Sequence, residues 1–241
     1  MLLLLYIDNY TEQQMPLTDT TIEPTLLESN LEELQENYPS IREVSISNKD
    51  IIYRQGSHCA YLFLIRHGIV KLSHISKQGN ELTTALLKQG DIIGNLHNDF
   101  ANQEMKETAQ ALGEVDFIRV EYSDFKKLMS HHAEWSWHFF EMITTRKQLV
   151  EKKLRTIITQ PVEMRVMATL LELAETFGIR CTHGFALEVH LSQQDLADLV
   201  GASRSVVSTI MNDFRNRGML DYTREQICIN DAAFIDLCDL E

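Results

Sequence analysis

Residues 191–214 read Leu191-Ser192-Gln193-Gln194-Asp195-Leu196-Ala197-Asp198-Leu199-Val200-Gly201-Ala202-Ser203-Arg204-Ser205-Val206-Val207-Ser208-Thr209-Ile210-Met211-Asn212-Asp213-Phe214, and this stretch narrows the possible folds most. Two short helical patterns are separated by one glycine. Ser192 can cap the first, with Asp195 three residues on as the Asp variant of a capping box, and Ser203 can cap the second. Ala197 is small enough for the second helix to cross close by. Gly201 can take the positive φ that a sharp interhelical turn needs. Leu196, Val200, Val207 and Ile210 are expected to point into a shared core. Arg204, Ser205, Ser208 and Thr209 then face outward from the first turns of the second helix, the part of a recognition helix that reaches base edges. With the helix-start residues Ser192, Gln193 and Ser203, they are the candidate DNA contacts. An ordinary helical hairpin is the competing reading, but it does not require this combination of small residue, glycine and apolar spacing.

The flanking sequence extends the pattern. Leu220–Tyr222 and Ile227–Ile229 surround Thr223-Arg224-Glu225-Gln226, which predicts a small β-hairpin, the wing of a winged helix-turn-helix, with Arg224 at its tip within reach of phosphate. Upstream, Pro161 breaks a helix and marks a domain boundary. Val162 to Phe177 reads as the next helix, stopped by Gly178 in the C′ position. Phe185, Leu187, Val189 and Leu191 alternate, as in a strand with one buried face.

The first half of the chain has a different period. Short β-type runs (Ile51–Tyr53, Tyr61–Ile65, Ile69–Ile75, Glu81–Leu87) are followed by Gly56, Gly68, Gly79 and Gly90, at spacings of about 11 residues. Such spacing predicts a compact antiparallel barrel or sandwich, with Ser76-Lys77-Gln78-Gly79-Asn80 as a hairpin loop. Helical patterns follow, a short one at Asp124–Met129 and a long one at Glu134–Ile158. In the long one, Phe140, Ile143, Lys147, Val150, Leu154 and Ile157 form a heptad seam suited to pairing with a second copy. Arg146, Lys152, Lys153 and Arg155 lie on the other side, which is expected to face water. Before residue 41 there is only a short helical pattern at Leu26, Leu27, Leu31 and Leu34.

Several function classes are disfavoured. The apolar start Met1–Tyr6 lacks a basic flank and ends at Asp8, too soon for a signal peptide or membrane span, so a cytoplasmic protein without membrane attachment is expected. Cys59, Cys181, Cys228 and Cys238 have neither CxxC nor zinc-ligand spacing. No Ser-His-Asp order or phosphate-binding glycine loop suggests an enzyme. His131 and His132 are adjacent on a helix and point apart. The net charge of −13 argues against nonspecific coating of nucleic acid. Between Leu191 and Arg224, however, four arginines meet four acids (Asp195, Asp198, Asp213, Asp221), a locally neutral strip that permits binding. The charge also leaves open a ligand-binding or protein-interaction module whose winged helix does not read DNA.

Taken in order, these parts resemble the superfamily of the cyclic-AMP receptor protein and the fumarate–nitrate reductase regulator (Crp/Fnr), over about residues 41–230. The resemblance rests on Gly56 with Tyr61–Leu72, on Gly90-Asp91-Ile92-Ile93-Gly94, and on Ser192–Phe214. It implies an α+β chain: an N-terminal extension (1–40), a cyclic-nucleotide-binding-like β-roll or jelly roll (41–132), a long dimerisation helix (133–159) and a winged helix-turn-helix (160–241). It further implies a bacterial homodimeric transcription regulator on a palindromic double-stranded operator, with RNA polymerase as a further partner. The family's common reader triplet is Arg, Glu, Arg. Here Arg204 matches the first, whereas Ser205 and Thr209 stand at the other two, so the half-site is expected to differ from the common one.

The resemblance also frames the effector pocket. Members that bind cyclic nucleotides carry Gly-Glu and then Arg-Ser or Arg-Thr before Ala. Here Gly94 is followed by Asn95 and Leu96, and Glu107-Thr108-Ala109 stands where the phosphate clamp should be. A carboxylate there repels phosphate, so cyclic-nucleotide sensing is not expected and Lys106 could substitute only if the loop shifts. No cysteine precedes Cys59 to hold an iron–sulfur cluster. His97 is one position out of register for a haem ligand, and other axial ligands are absent. No cofactor or metal is expected. The remaining options are another small molecule, such as a 2-oxo acid as in the family's nitrogen regulators, or no effector.

Overall fold

The structure is a computed structural model and describes residues 31–94, 104–182, 184–187, 189, 191–223 and 226–230. They divide into two compact units, one ending at Val150 and one beginning at Glu151.

The first unit begins with helix α1 (Leu31–Asn37). Strands β1 (Arg42–Ile46), β2 (Ile51–Tyr53), β3 (Tyr61–Ile75), β4 (Glu81–Leu87), β5 (Ile92–Gly94) and β6 (Thr108–Glu121) follow, then helix α2 (Tyr122–His131). The sheet runs β1-β6-β3-β4, with β2 added to β6 and β5 to β3, and every pairing is antiparallel. Because successive side chains alternate, β3 and β6 each feed two cores. Phe63, Ile65, Val70, Ala109, Val115 and Phe117 close on one another inside the roll. Leu62, Ile118 and Val120 on the reverse face pack against Leu34, Tyr38, Ile41, Phe125 and Leu128. Strands buried on both faces lose the simple apolar–polar alternation. This is why β6, the spine of the sheet, carries no separate signal in the sequence.

One expectation needs correcting. Tyr61–Ile65 and Ile69–Ile75 are not separate strands divided at Gly68; they are one fifteen-residue strand. Gly68 sits at φ 88° inside it, within the second of two register shifts, between His67 and Ile69, and a Cβ there would lie 2.2 Å from the Glu114 carbonyl oxygen. The glycine serves a bulge and a close backbone approach, not a turn. Gly79 does lie in the hairpin loop, where the Ser76 amide donates to the Asn80 carbonyl at 2.8 Å.

Helix α3 (Ala133–Thr159) is continuous from the first unit into the second, and none of its residues is buried. The seam residues Phe140, Val150 and Leu154 are 57–61% exposed, and Ile143, Lys147 and Ile157 are exposed as well. The other side is not wholly in water, contrary to expectation. Arg146 and Lys153 are half-buried, and burial pushes the Lys153 ammonium pKa down despite a neighbouring Glu172. Among the described residues no helix is long and apolar enough to cross a membrane.

The second unit holds α4 (Val162–Phe177), β7 (Gly178–Cys181), β8 (Gly184–Leu187), α5 (Gln193–Val200), α6 (Arg204–Asn216), β9 (Leu220–Tyr222) and β10 (Ile227–Ile229). Its sheet runs β7-β8-β10-β9. Gly178 is not a left-handed C′ residue. Its φ of −82° and ψ of 146° are extended, and it starts β7. A Cβ there would lie 2.3 Å from the Ala174 carbonyl oxygen, so glycine is needed for contact rather than for its dihedral freedom. Strand β7, with Ile179, Arg180 and Cys181 exposed, has no alternation to announce it. Strand β8 also departs from strict alternation: Ala186 and Leu187 are both buried, while Phe185 is half-buried beneath the Arg180 guanidinium.

Replacing Gly68 by alanine should cost about 2 kcal/mol or more, since it combines a disfavoured φ with a backbone clash. Denaturant unfolding of Gly68→Ala beside Gly79→Ala, which meets nothing within 4 Å, measures the difference; equal losses would contradict the bulge assignment.

Candidate nucleic-acid interface

The site is built around the turn between α5 and α6. Ser192 Oγ accepts from the Asp195 amide at 3.0 Å, and the Asp195 carboxylate accepts from the Ser192 amide at 3.1 Å, which closes the capping box. Gly201 ends α5 at φ 70°, ψ 46°, and the next amide, Ala202, donates to the Ala197 carbonyl at 3.0 Å. Ser203 Oγ then accepts from the Val206 amide at 3.4 Å and starts α6. Ala197 is fully buried at the crossing.

A residue not singled out in the sequence holds this turn. Arg165, on the first turns of α4, donates from Nη1 to the carbonyls of Val200 and Gly201, each at 3.0 Å. These carbonyls lie at the end of α5, where no helical partner is available. One cation there satisfies two acceptors and favours the negative end of the helix dipole. An arginine inside an ordinary helix leaves no local signal of such a task.

The buried face of α6 is Val207, Met211 and Phe214. Ile210, expected in the core, is only half-buried, and Met211 and Phe214 take the deeper positions. Val207, Met211 and Phe214 recur at i, i+4 and i+7 and form one stripe, with Ile210 at its edge. Ser205 and Thr209 lie opposite this stripe and are exposed, Arg204 is exposed in the first turn of the helix, and Ser208 is half-buried. Ser203 and Ser205 hydroxyls lie 3.1 Å apart, and Thr209 Oγ1 donates to the Ser205 carbonyl at 3.0 Å. Ser192 is exposed and Gln193 half-buried at the start of α5. The two strands of the wing form as expected; Arg224 lies outside the described residues.

The described arginines of this region divide by partner. Arg215 Nε pairs with Asp221 at 2.9 Å, and its guanidinium stands over the Tyr222 ring. Arg217 Nη1 pairs with Asp213 at 3.0 Å and with Glu163 at 3.1 Å, tying α6 to the start of α4. Arg204 has no hydrogen-bond or ion-pair partner among the described residues. It stands exposed at the start of α6.

In the roll, Gly94 sits at φ 117°, where a Cβ would lie 2.7 Å from the Tyr61 carbonyl oxygen. Glu107 accepts a hydrogen bond from the Tyr53 phenol at 3.3 Å, and Thr108 Oγ1 accepts from the Gln55 amide at 3.0 Å. Burial first, and then the Glu107 charge, push the Tyr53 pKa up, so the phenol stays protonated and remains a donor. Asn95, Leu96 and His97 lie outside the described residues. Among the described residues no group of three or more His, Cys, Asp or Glu side chains could hold a metal ion.

An antiparallel roll leading through one long helix to a winged helix-turn-helix is the architecture of a two-domain transcription regulator. Comparison with known proteins agrees on both halves. Residues 43–132 match the cyclic nucleotide-binding domain, and residues 164–234 match the Crp-like helix-turn-helix domain. The chain is 22% identical to the anaerobic regulatory protein of Bacillus subtilis, over 81% of each chain. It is 24% identical to the global nitrogen regulator of Nostoc sp., over 80% of this chain and 86% of that one. A CooA mutant from Carboxydothermus hydrogenoformans shares the fold at a TM-score of 0.71 and 22% identity, over 93% of this chain and 98% of that one. The chain therefore carries a cyclic nucleotide-binding domain followed by a Crp-like helix-turn-helix domain, and its homologues are transcription regulators of the Crp/Fnr family.

Replacing Arg165 by methionine keeps the stem but leaves two turn carbonyls without their donor. The expected loss is about 1–3 kcal/mol of stability in the second unit. Arg204→Ala, at an exposed position with no partner among the described residues, should stay within about 0.5 kcal/mol of wild type. Thermal unfolding of both variants tests the contrast, and a neutral Arg165→Met would remove the clamp.

Proposed function

We propose that the protein is a sequence-specific regulator that binds a palindromic operator as a homodimer, paired along α3. The observation that carries this reading is the exposed Arg204 guanidinium at the start of α6, without a hydrogen-bond or ion-pair partner among the described residues, beside Ser205, Ser208 and Thr209. A guanidinium so placed can hold guanine O6 and N7 with two hydrogen bonds, while Ser and Thr contacts are less base-selective. Ser192, Gln193 and Ser203 stand where helix starts approach the backbone, and Arg224 of the wing completes the contact. A two-fold dimer presents two recognition helices, hence a palindrome with half-sites one helical turn apart.

The pairing surface is the run Phe140, Ile143, Lys147, Val150, Leu154 and Ile157. Its apolar members are exposed on the single chain, and a contiguous exposed apolar stripe is the mark of an interaction face. Domain limits of 41–132, 133–159 and 160–241 suit this division of labour, with RNA polymerase as a further partner in the cytoplasm.

The roll is a diverged effector domain that does not bind cyclic nucleotide. Glu107, already accepting from Tyr53, sets a negative charge beside Thr108 where an anionic phosphate would need a cation. Gly94 belongs to this altered pocket, which serves another small molecule or none.

Selection of duplexes from a random pool by the protein without added ligand should recover a palindrome. Arg204→Ala should weaken binding by about 1–3 kcal/mol and relax preference at one position of each half-site. Recovery of no duplex at low salt would instead favour a protein-interaction module. Val150→Glu with Leu154→Glu should turn the dimer into a folded monomer by sedimentation and abolish operator binding. Cyclic AMP at millimolar concentration should leave the melting temperature unchanged; a clear rise would overturn the reading of Glu107.

A further inference from the structure

We propose that Asn212, held in place by Tyr222 of the wing, anchors the recognition helix to a DNA phosphate, making Tyr222 a positioning residue. The assignment rests on the reading of α6 as a recognition helix and adds a contact outside the first-turn readers.

Ser205, Thr209 and Asn212 follow the i, i+4, i+7 spacing and share the exposed face of α6. Asn212 is itself exposed, and the Tyr222 hydroxyl donates to its Oδ1 at 2.9 Å. Tyr222 is held in turn. Its backbone pairs with Ile227 of β10, its ring lies beneath the Arg215 guanidinium, and Arg215 pairs with Asp221 of the same strand. The wing therefore fixes which end of the Asn212 amide points outward. With Oδ1 engaged by a donor, the group offers its two N–H bonds, which suit an acceptor.

Distance selects the acceptor. Asn212 lies eight residues beyond Arg204, about 12 Å along the helix axis, and the major groove is about 12 Å wide. If Arg204 reaches base edges, a residue this far along the axis has arrived at the groove wall, where the acceptors are phosphate oxygens. Adenine, the base asparagine usually reads, requires the same Oδ1 that Tyr222 engages. A neutral donor also suits a region whose other described arginines, Arg215 and Arg217, are held in internal ion pairs.

The test measures binding of the full-length dimer to its selected duplex and to a scrambled duplex across a salt series. Asn212→Ala should weaken both by about tenfold, as expected for one hydrogen bond to a charged group. The salt slope should not change, because an amide releases no counterion. Asn212→Asp keeps an acceptor for Tyr222 but places a carboxylate against phosphate, so its loss should be greater. Tyr222→Phe should lose a few-fold on its own and nothing further in combination with Asn212→Ala, with melting temperatures near wild type throughout. Wild-type binding by Asn212→Ala, or a changed base preference in place of a uniform loss, would overturn the phosphate assignment. A wild-type protein that binds no duplex would remove the DNA reading itself, and this contact with it.

Discussion

The hydrogen bonds from Arg165 to the carbonyls of Val200 and Gly201 fix the geometry on which the second unit's interface depends. A helix end has carbonyls without helical partners, and a sharp turn brings them close to the next helix. If they were left unsatisfied, the turn could open and α6 would lose its fixed direction. The left-handed Gly201 makes the bend sterically possible, and Arg165 makes it stable. Arg217, bonded to Glu163 and Asp213, ties the other end of α6 back to the same helix. Both ends of α6 are therefore referenced to the first turns of α4.

This bracing also explains how the charge of the region is used. Cations in a chain of net charge −13 are scarce. Arg165, Arg215 and Arg217 are engaged within the unit, whereas Arg204 has no hydrogen-bond or ion-pair partner among the described residues. As a DNA reader, this face would rely more on directional contacts than on electrostatic attraction.

In the roll the governing constraint is close backbone approach. Gly68 against Glu114 and Gly94 against Tyr61 leave no room for a side chain, so strands can bend and cross at van der Waals distance. The same compaction draws Tyr53 onto Glu107, where a protonated phenol donates to the carboxylate.

The sequence alone settled what is local. Caps need particular side chains at particular offsets, a bend needs a residue without a Cβ, and turn residues separate strands. Thus Ser192 with Asp195, Ser203, Gly201, the wing hairpin, the helix over Val162–Phe177 and the run of β-type segments were all legible. Tertiary structure decided whatever depended on partners distant along the chain. It joined two β-runs through Gly68, because Glu114 packs there. It turned Gly178 into the start of a strand, exchanged Ile210 for Met211 and Phe214 in the core, and half-buried Lys153. It also separated Arg204, left outward, from Arg165, Arg215 and Arg217, bonded inward. One-dimensional spacing cannot carry that distinction, because an arginine's task is set by the acceptors within a few ångströms of it, and only folding brings them there.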